Sequence, residues 1–289
     1  MHDDINIQWY PGHMTKARRM IAENIKLVDA VCEIIDARIP LSSRNPDLDE
    51  MTFRKPRLII LNRTDQADPD ATKQWRAVFR EDGAAVLETD CKTGKGVGGF
   101  AAAVRALLAD KVAHYVSKGQ IGRGLRVMVV GIPNVGKSSF INRVAKRKAA
   151  ATSDKPGVTR GKQWINVDNG LELLDTPGVL WPKFEDRTVA ENLAFTGAIR
   201  DDIMDIEGLA ASLMARMNEF YPERLAERYR IDTTTDACGS DLLEQAAKNR
   251  GFLISGGLID TGRMAGVLLD EFRGGKLGRI TLEKVKSNK

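Results

Sequence analysis

The chain has 289 residues and a formal net charge of +5, from 44 lysines and arginines against 39 aspartates and glutamates. That length buries roughly three quarters of the unfolded surface, enough for one large domain or two modest ones, and two are expected. Charged residues interrupt every apolar run before the roughly 18 residues that a membrane helix needs; the acidic start Met1-His2-Asp3-Asp4 also lacks the apolar core of a secretory signal, so a membrane span is excluded and a cytoplasmic location expected.

In chain order, the apolar pattern predicts a helix over 15–27, strands over 30–35 and 57–61, a helix over 71–81, a strand over 84–87 and a helix over 99–116. Residues 117–124 carry three glycines and no apolar period, and read as a linker. A strand over 125–130, a helix over 137–148 and strands over 164–167 and 171–174 follow. This alternation is the rhythm of a doubly wound α/β sheet. After about residue 184 the β-type runs stop, and helical patterns over 206–220, 242–248 and 259–272 predict a second, all-α domain. Cys32, Cys91 and Cys238 lie far apart without CxxC spacing, so free thiols are expected. Basic clusters at Lys16/Arg18/Arg19, Lys146/Arg147/Lys148, Arg160/Lys162 and Arg273/Lys276/Arg279 suit a polyanion, although solvated helix faces look similar.

The strongest local signal is Gly131-Ile132-Pro133-Asn134-Val135-Gly136-Lys137-Ser138, a GxxxxGK[ST] loop between a predicted strand and a predicted helix. Backbone N–H groups over Asn134, Val135, Gly136, Lys137, Ser138 and Ser139 are expected to cradle phosphate, Lys137 to neutralise it and Ser138 to hold magnesium. Asp175-Thr176-Pro177-Gly178 ends the run at 171–174 as the DxxG of a GTPase's second switch does, with Asp175 toward magnesium and Gly178 near the γ-phosphate. Between them, Pro156-Gly157-Val158-Thr159-Arg160-Gly161 occupies the place of a first switch; Thr159 is the expected second hydroxyl for magnesium, with Thr152 as its competitor.

Guanine selection needs an NKxD motif, and none follows the phosphate loop. One precedes it: Asn62-Arg63-Thr64-Asp65 ends the strand at 57–61. The Asp65 carboxylate matches the N1–H and exocyclic amine of guanine, a donor pair adenine lacks, which disfavours an ATP-dependent P-loop kinase. An Arg63 stem can lie along the base while its guanidinium pairs elsewhere; taken alone, the same four residues also suit a helix cap. Asp90-Cys91-Lys92-Thr93-Gly94 then stands where an SAK loop meets the guanine O6 through a backbone N–H near Cys91. The order is base motifs, linker, phosphate loop, switches. The expected fold is therefore α/β, a circularly permuted P-loop GTPase domain over 1–184 with an all-α domain over 185–289, the second switch running through Leu180-Trp181-Pro182 into the helices.

The sequence closely resembles the ribosome biogenesis GTPase A family of circularly permuted GTPases. The resemblance rests on residues 8–14 (QWYPGHM), 36–46 (DARIPLSSRNP), the GIPNVGKS loop and 174–186 (LDTPGVLWPKFED), and Gly256-Gly257 and Lys276-Leu277-Gly278-Arg279 extend it toward the C-terminus. It implies a GTP-hydrolysing factor in late maturation of the large ribosomal subunit, with the subunit precursor and rRNA as partners and the helical domain toward rRNA; a monomer is expected. Arg63 in place of lysine, and Asp90-Cys91 where small residues are commoner, depart from the pattern.

Val179 follows DTPG where many GTPases carry a glutamine that orients water, and valine has no group for that task. The resemblance implies His13 instead, through an imidazole that holds the water or relays its proton; local packing or RNA contact is the alternative. Asn134 resembles the asparagine with which potassium-activated GTPases hold their ion, and an Asx hydrogen bond explains it equally. The competing function is a nucleotide-gated RNA-binding scaffold with incidental hydrolysis.

Overall fold

Six short runs dominated by Val, Ile and Leu form strands β1 (Ala30–Asp36), β2 (Arg57–Asn62), β3 (Ala85–Glu88), β4 (Leu125–Val130), β5 (Trp164–Val167) and β6 (Leu171–Asp175). The computed structural model describes residues 12–120, 122–145, 164–167, 170–181, 184–234 and 236–285, without the His13 side chain. The strands make one sheet in the order β3-β2-β1-β4-β6-β5, parallel except for β5, which runs antiparallel to β6. Every residue of β1 is buried, as a central parallel strand covered on both faces requires. From β1 the chain steps outward to β2 and β3, and from β4 it steps the other way to β6, so the winding reverses between β1 and β4. Ligands of open α/β sheets bind at the carboxyl ends of the strands flanking such a reversal.

Around the sheet lie α1 (Gly12–Asn24), α2 (Pro46–Thr52), α3 (Pro69–Glu81), α4 (Phe100–Leu107), α5 (Ala109–Ser117) and α6 (Lys137–Val144). The expected helix over 99–116 is two helices, because Leu108 leaves helical geometry at φ −108°, ψ 21°. Helix α2 was not apparent from periodicity; it spans only 7 residues, started by the Asn45 side chain accepting from the Asp47 N–H and by Pro46 in the first turn. Beyond β6 the chain forms α7 (Arg187–Phe195), α8 (Ile206–Phe220), α9 (Pro222–Tyr229), α10 (Gly239–Asn249) and α11 (Thr261–Arg273). Of these, α7 and α9 went unforeseen, α9 for its 8-residue length and α7 because burial of Ala190 and residues 192–195 blurs its apolar stripe. Where α9, α10 and α11 meet, the buried Glu271 accepts from Arg228, Arg250 and the Tyr229 hydroxyl.

One apolar cluster runs from Ile34 and Val129 on the sheet through Phe195 to Leu213 and Leu268 in the helices. Polar ties reinforce that join. Asp36, at the end of β1, holds the Arg38 guanidinium through both carboxylate oxygens at 3.0 and 2.8 Å, and Arg38 donates onward to the Phe272 carbonyl at 3.0 Å. Burial alone would raise the Asp36 pKa, but the Arg38 guanidinium and that of Arg63 hold it below the usual carboxylate range. The chain end returns to the sheet as well. Leu282 N–H donates to the Arg38 carbonyl at 2.8 Å, and the Glu283 carboxylate accepts from the Leu41 and Ser42 N–H groups and from Asn192.

Arg38→Met would leave Asp36 buried beside a single arginine 3.5 Å away. Breaking a buried pair from one side costs about 3–5 kcal/mol. A urea titration is expected to show a loss of that order, with Asp36→Asn/Arg38→Met recovering part of it; a wild-type midpoint for Arg38→Met would contradict the assignment.

Candidate functional site

The loops that leave β2, β3, β4 and β6 at their carboxyl ends share one rim, although their residues are up to 113 positions apart between Asn62 and Asp175. The Asn62 side chain joins three of these loops. Its Nδ2 donates to the Val135 carbonyl of the phosphate loop at 2.8 Å, while its Oδ1 accepts from the Thr89 hydroxyl at 3.3 Å and the Cys91 N–H at 3.2 Å. A Cβ at Gly136, where φ is +103°, would stand 2.5 Å from Asn62 Nδ2, so the turn needs glycine both for its backbone angle and for this approach. Sequence reasoning placed Asn62 and Cys91 at the base; here the Cys91 N–H expected to meet O6 is directed to Asn62.

Asp90 shapes its own loop, accepting from the Lys92 N–H at 2.7 Å, the Thr93 N–H at 3.2 Å and the Thr93 hydroxyl. Burial pushes its pKa up, but those hydrogen bonds prevail and hold it below the ordinary value. The Cys91 thiol is buried, which pushes its pKa up to about 11. Arg143 of α6 donates to the Cys91 and Lys92 carbonyls, a tie that no local sequence signal announced.

Arg63, at φ +62°, does not aim its guanidinium at the rim's open side. It donates to the Asn134 carbonyl at 3.0 Å and the Arg273 carbonyl at 3.5 Å, and its Nε lies 3.5 Å from Asp36. Pairing elsewhere is what an arginine at a lysine position allows. Asp65 is exposed, and among the described residues its carboxylate has no hydrogen bond or ion pair. Asn134 sends its side-chain N–H to the Gly197 carbonyl after α7 at 2.6 Å, which ties the phosphate loop to the helical layer.

The Lys137 ammonium is folded onto its own loop, donating to the Gly131 and Ile132 carbonyls at 3.0 and 2.7 Å. Burial pushes its pKa down to about 8, with Asp175 opposing the shift. Gly178 packs on the phosphate loop: a Cβ there would lie 2.8 Å from Pro133 and 3.0 Å from Lys137 Nζ. Asp175 has one carboxylate oxygen, Oδ1, buried without a partner, and burial raises its pKa. An orphaned buried carboxylate oxygen fits a divalent cation. Ser138 and Ser139 are exposed at the start of α6. Thr159, Thr152 and the rest of the first-switch segment lie outside the described residues, as does the His13 side chain.

Val179 is 1% exposed within an apolar cluster with Ala17, Ile21 and Leu174, and its carbonyl accepts from Asn45 at 2.9 Å. It does not face the rim. Two basic residues expected on a polyanion surface also make intramolecular bonds: the half-buried Arg273 donates to the Ala194 and Phe195 carbonyls and pairs with Asp201, and Arg279, which is exposed, donates to the Thr64 and Ala67 carbonyls. Their guanidinium groups join parts of the chain to one another. Lys276 is exposed.

A phosphate loop, a DxxG loop and a base loop on one sheet rim, with the base loop earlier in the chain, define a circularly permuted P-loop GTPase. The model of the 50S ribosome-binding GTPase family matches residues 126–214. Ribosome biogenesis GTPase A of Bacillus cereus is 49% identical over 277 residues, covering 96% of this chain and 93% of that relative. The GDP-bound structure of TM YlqF superposes with a TM-score of 0.65 at 28% identity, covering 92% of this chain and 99% of its own. GNP-bound YlqF from T. maritima gives 0.63 at 29%, covering 93% and 98%. This chain belongs to the ribosome biogenesis GTPase A family, and it is a GTP-hydrolysing enzyme.

The Lys137 pKa sets a pH dependence. Phosphate favours the ammonium form, so the bound pKa lies above the free value of about 8. Affinity is then complete below the free pKa and lost as pH rises through it. Calorimetric titration of GDP from pH 7 to 9.5 is expected to show weakening above about pH 8, absent in Lys137→Met; a flat wild-type profile would contradict the folded-back lysine.

Proposed function

We propose that this enzyme acts in late maturation of the large ribosomal subunit, with residues 1–184 as the GTPase domain, residues 185–289 facing rRNA, and turnover stimulated by the subunit precursor. The observation that carries the stimulated reading is the burial of Val179. No side chain directly after DTPG is left to hold the attacking water, so a group from elsewhere must do it. His13 is that group in this reading. The names of the relatives, which refer to ribosomes, support the choice of particle.

At the base, Asp65 accepts from the guanine N1–H and amine, while Asn62, Arg63, Asp90, Cys91 and Lys92 form the walls around it. At the phosphates, Lys137 leaves the Gly131 and Ile132 carbonyls for the nucleotide, and the backbone over Asn134, Val135, Gly136, Ser138 and Ser139 supplies N–H donors. Ser138, Asp175 and Thr159 would hold magnesium, which neutralises charge on the phosphate oxygens when bound. The orphaned Asp175 Oδ1 supports that ligand set. Asn134 keeps its Oδ1 for potassium, because its hydrogen bond to Gly197 uses only Nδ2. The expected setting is a cytoplasmic monomer; among the described residues no helix is long and apolar enough to cross a membrane. The exposed Lys276, Arg224, Arg230, Lys248 and Arg263 are among the basic residues that the helices offer to rRNA.

GTP turnover measured with and without purified large-subunit precursors is expected to rise at least about tenfold with the particle. Unchanged turnover would favour the scaffold reading. His13→Ala is expected to lower stimulated turnover by about a hundredfold or more, the scale of a lost general acid or base, while GTP affinity stays near wild type. Parallel loss of particle binding would make His13 a docking residue instead.

A further inference from the structure

Asp65 has no partner of its own among the described residues, yet the loop that carries it is fixed from outside. Three carbonyls flank it, those of Thr64, Gln66 and Ala67. All three accept hydrogen bonds from the chain just beyond α11: Arg279 donates to Thr64 O at 2.8 Å and to Ala67 O at 2.9 Å, and the Ile280 N–H donates to Gln66 O at 2.8 Å. Thr281 completes the hold, its hydroxyl accepting from the Asp68 N–H at 3.1 Å and donating to the Ala37 carbonyl at 3.1 Å. Gly275 lies against the same loop, where a Cβ would come within 2.8 Å of the Gln66 side chain. On its sheet side the loop is held by Thr64, whose N–H and hydroxyl both reach the Thr89 carbonyl, and by Ala67, buried against Ile35 and Leu61.

A carboxylate that reads two guanine donors must be held within about 0.5 Å and 10–20° of its working position. Arg63 turns the backbone into the left-handed region at the tip of β2, so the loop that follows leaves the sheet and is held by bonds from elsewhere. Guanidinium bonds to carbonyls are charge-assisted and directional, which suits them to fixing a loop backbone.

We propose that Arg279 and Thr281 are positioning residues for guanine selection: the 279–281 segment holds residues 64–68 so that Asp65 meets the base edge. This deepens the site reading above and rests on Asp65 as the guanine acceptor. It also makes the helical layer a determinant of nucleotide release, because 279–281 follows α11 after only the short segment 274–278, so a shift of α11 against the sheet is passed to the base loop.

The test uses the full chain carrying Arg279→Gln or Thr281→Val. Inosine triphosphate keeps the N1–H and lacks the amine, so the ratio of GTP to ITP affinity reports the Asp65 geometry. Arg279→Gln is expected to speed dissociation of fluorescent mant-GDP about tenfold and to lower the GTP-over-ITP preference about fivefold, on the scale of a charged hydrogen bond. Thr281→Val, which removes one hydroxyl only, is expected to move both in the same direction by a smaller factor. Arg279→Lys should restore part of the preference by reaching one carbonyl, and single-turnover hydrolysis of prebound GTP should stay within about twofold of wild type in all three. Folded variants with an unchanged ratio and dissociation rate would overturn the proposal, as would equal weakening of GTP, ITP and ATP, which marks a purely structural tie. Should Arg279→Gln fail to fold, Thr281→Val decides. A wild-type chain with no preference for GTP over ITP would overturn the Asp65 reading itself, and the proposal with it.

Discussion

One side-chain amide, that of Asn62, bonds both halves of this site at once, and Arg63 and Arg143 reinforce the join. Permutation puts the base loops at the start of the chain and the phosphate loop after the linker, so only the sheet pairing and tertiary bonds set one against the other. Asn62 bonds the phosphate loop through Nδ2 and the β3 loop through Oδ1. An asparagine amide offers two N–H donors and two acceptor lone pairs; three of these are used here, and a Cβ at residue 136 would intrude on the amide.

A second set of bonds connects that assembly to the helices. Asp36 at the end of β1 gathers Arg38 and Arg63, and these two reach the Phe272 and Arg273 carbonyls at the end of α11. Helix carbonyl ends carry partial negative charge and favour cations. Asn134 makes the matching contact with Gly197 after α7. The nucleotide loops therefore sit against the ends of two helices, and a partner that moves either helix acts on the rim directly.

The sheet, its strand ends and the turn at GIPNVGKS were legible because each has a short-range cause: β-branched runs make strands, and Gly131 and Gly136 supply the positive φ angles of a turn between strand and helix. The permutation was legible because NRTD and DTPG stand at strand ends in the wrong chain order. Helices α2 and α9 were not, since 7 or 8 residues give periodicity too few repeats. The intramolecular bonds of Arg273 and Arg279 were hidden for a different reason: charge clustering records how many cations lie together, whereas their partners, Asp201 and the carbonyls of residues 64, 67, 194 and 195, are brought in by tertiary structure. The role of Asn62 was half visible, its motif clear and its bonding to Val135 and Cys91 hidden until the loops met.

The most direct measurement is the affinity of Asn62→Ala for GTP and GDP by calorimetry, with the fold monitored by circular dichroism. Three lost hydrogen bonds at about 1 kcal/mol each, with part of the cost shared by relaxation, correspond to roughly 10- to 100-fold weaker binding. Because the amide is spent on bonds to Val135, Thr89 and Cys91 that assemble the loops, the two nucleotides are expected to weaken alike. A folded Asn62→Ala chain that binds both with wild-type affinity would contradict the claim that this residue joins the permuted halves of the site.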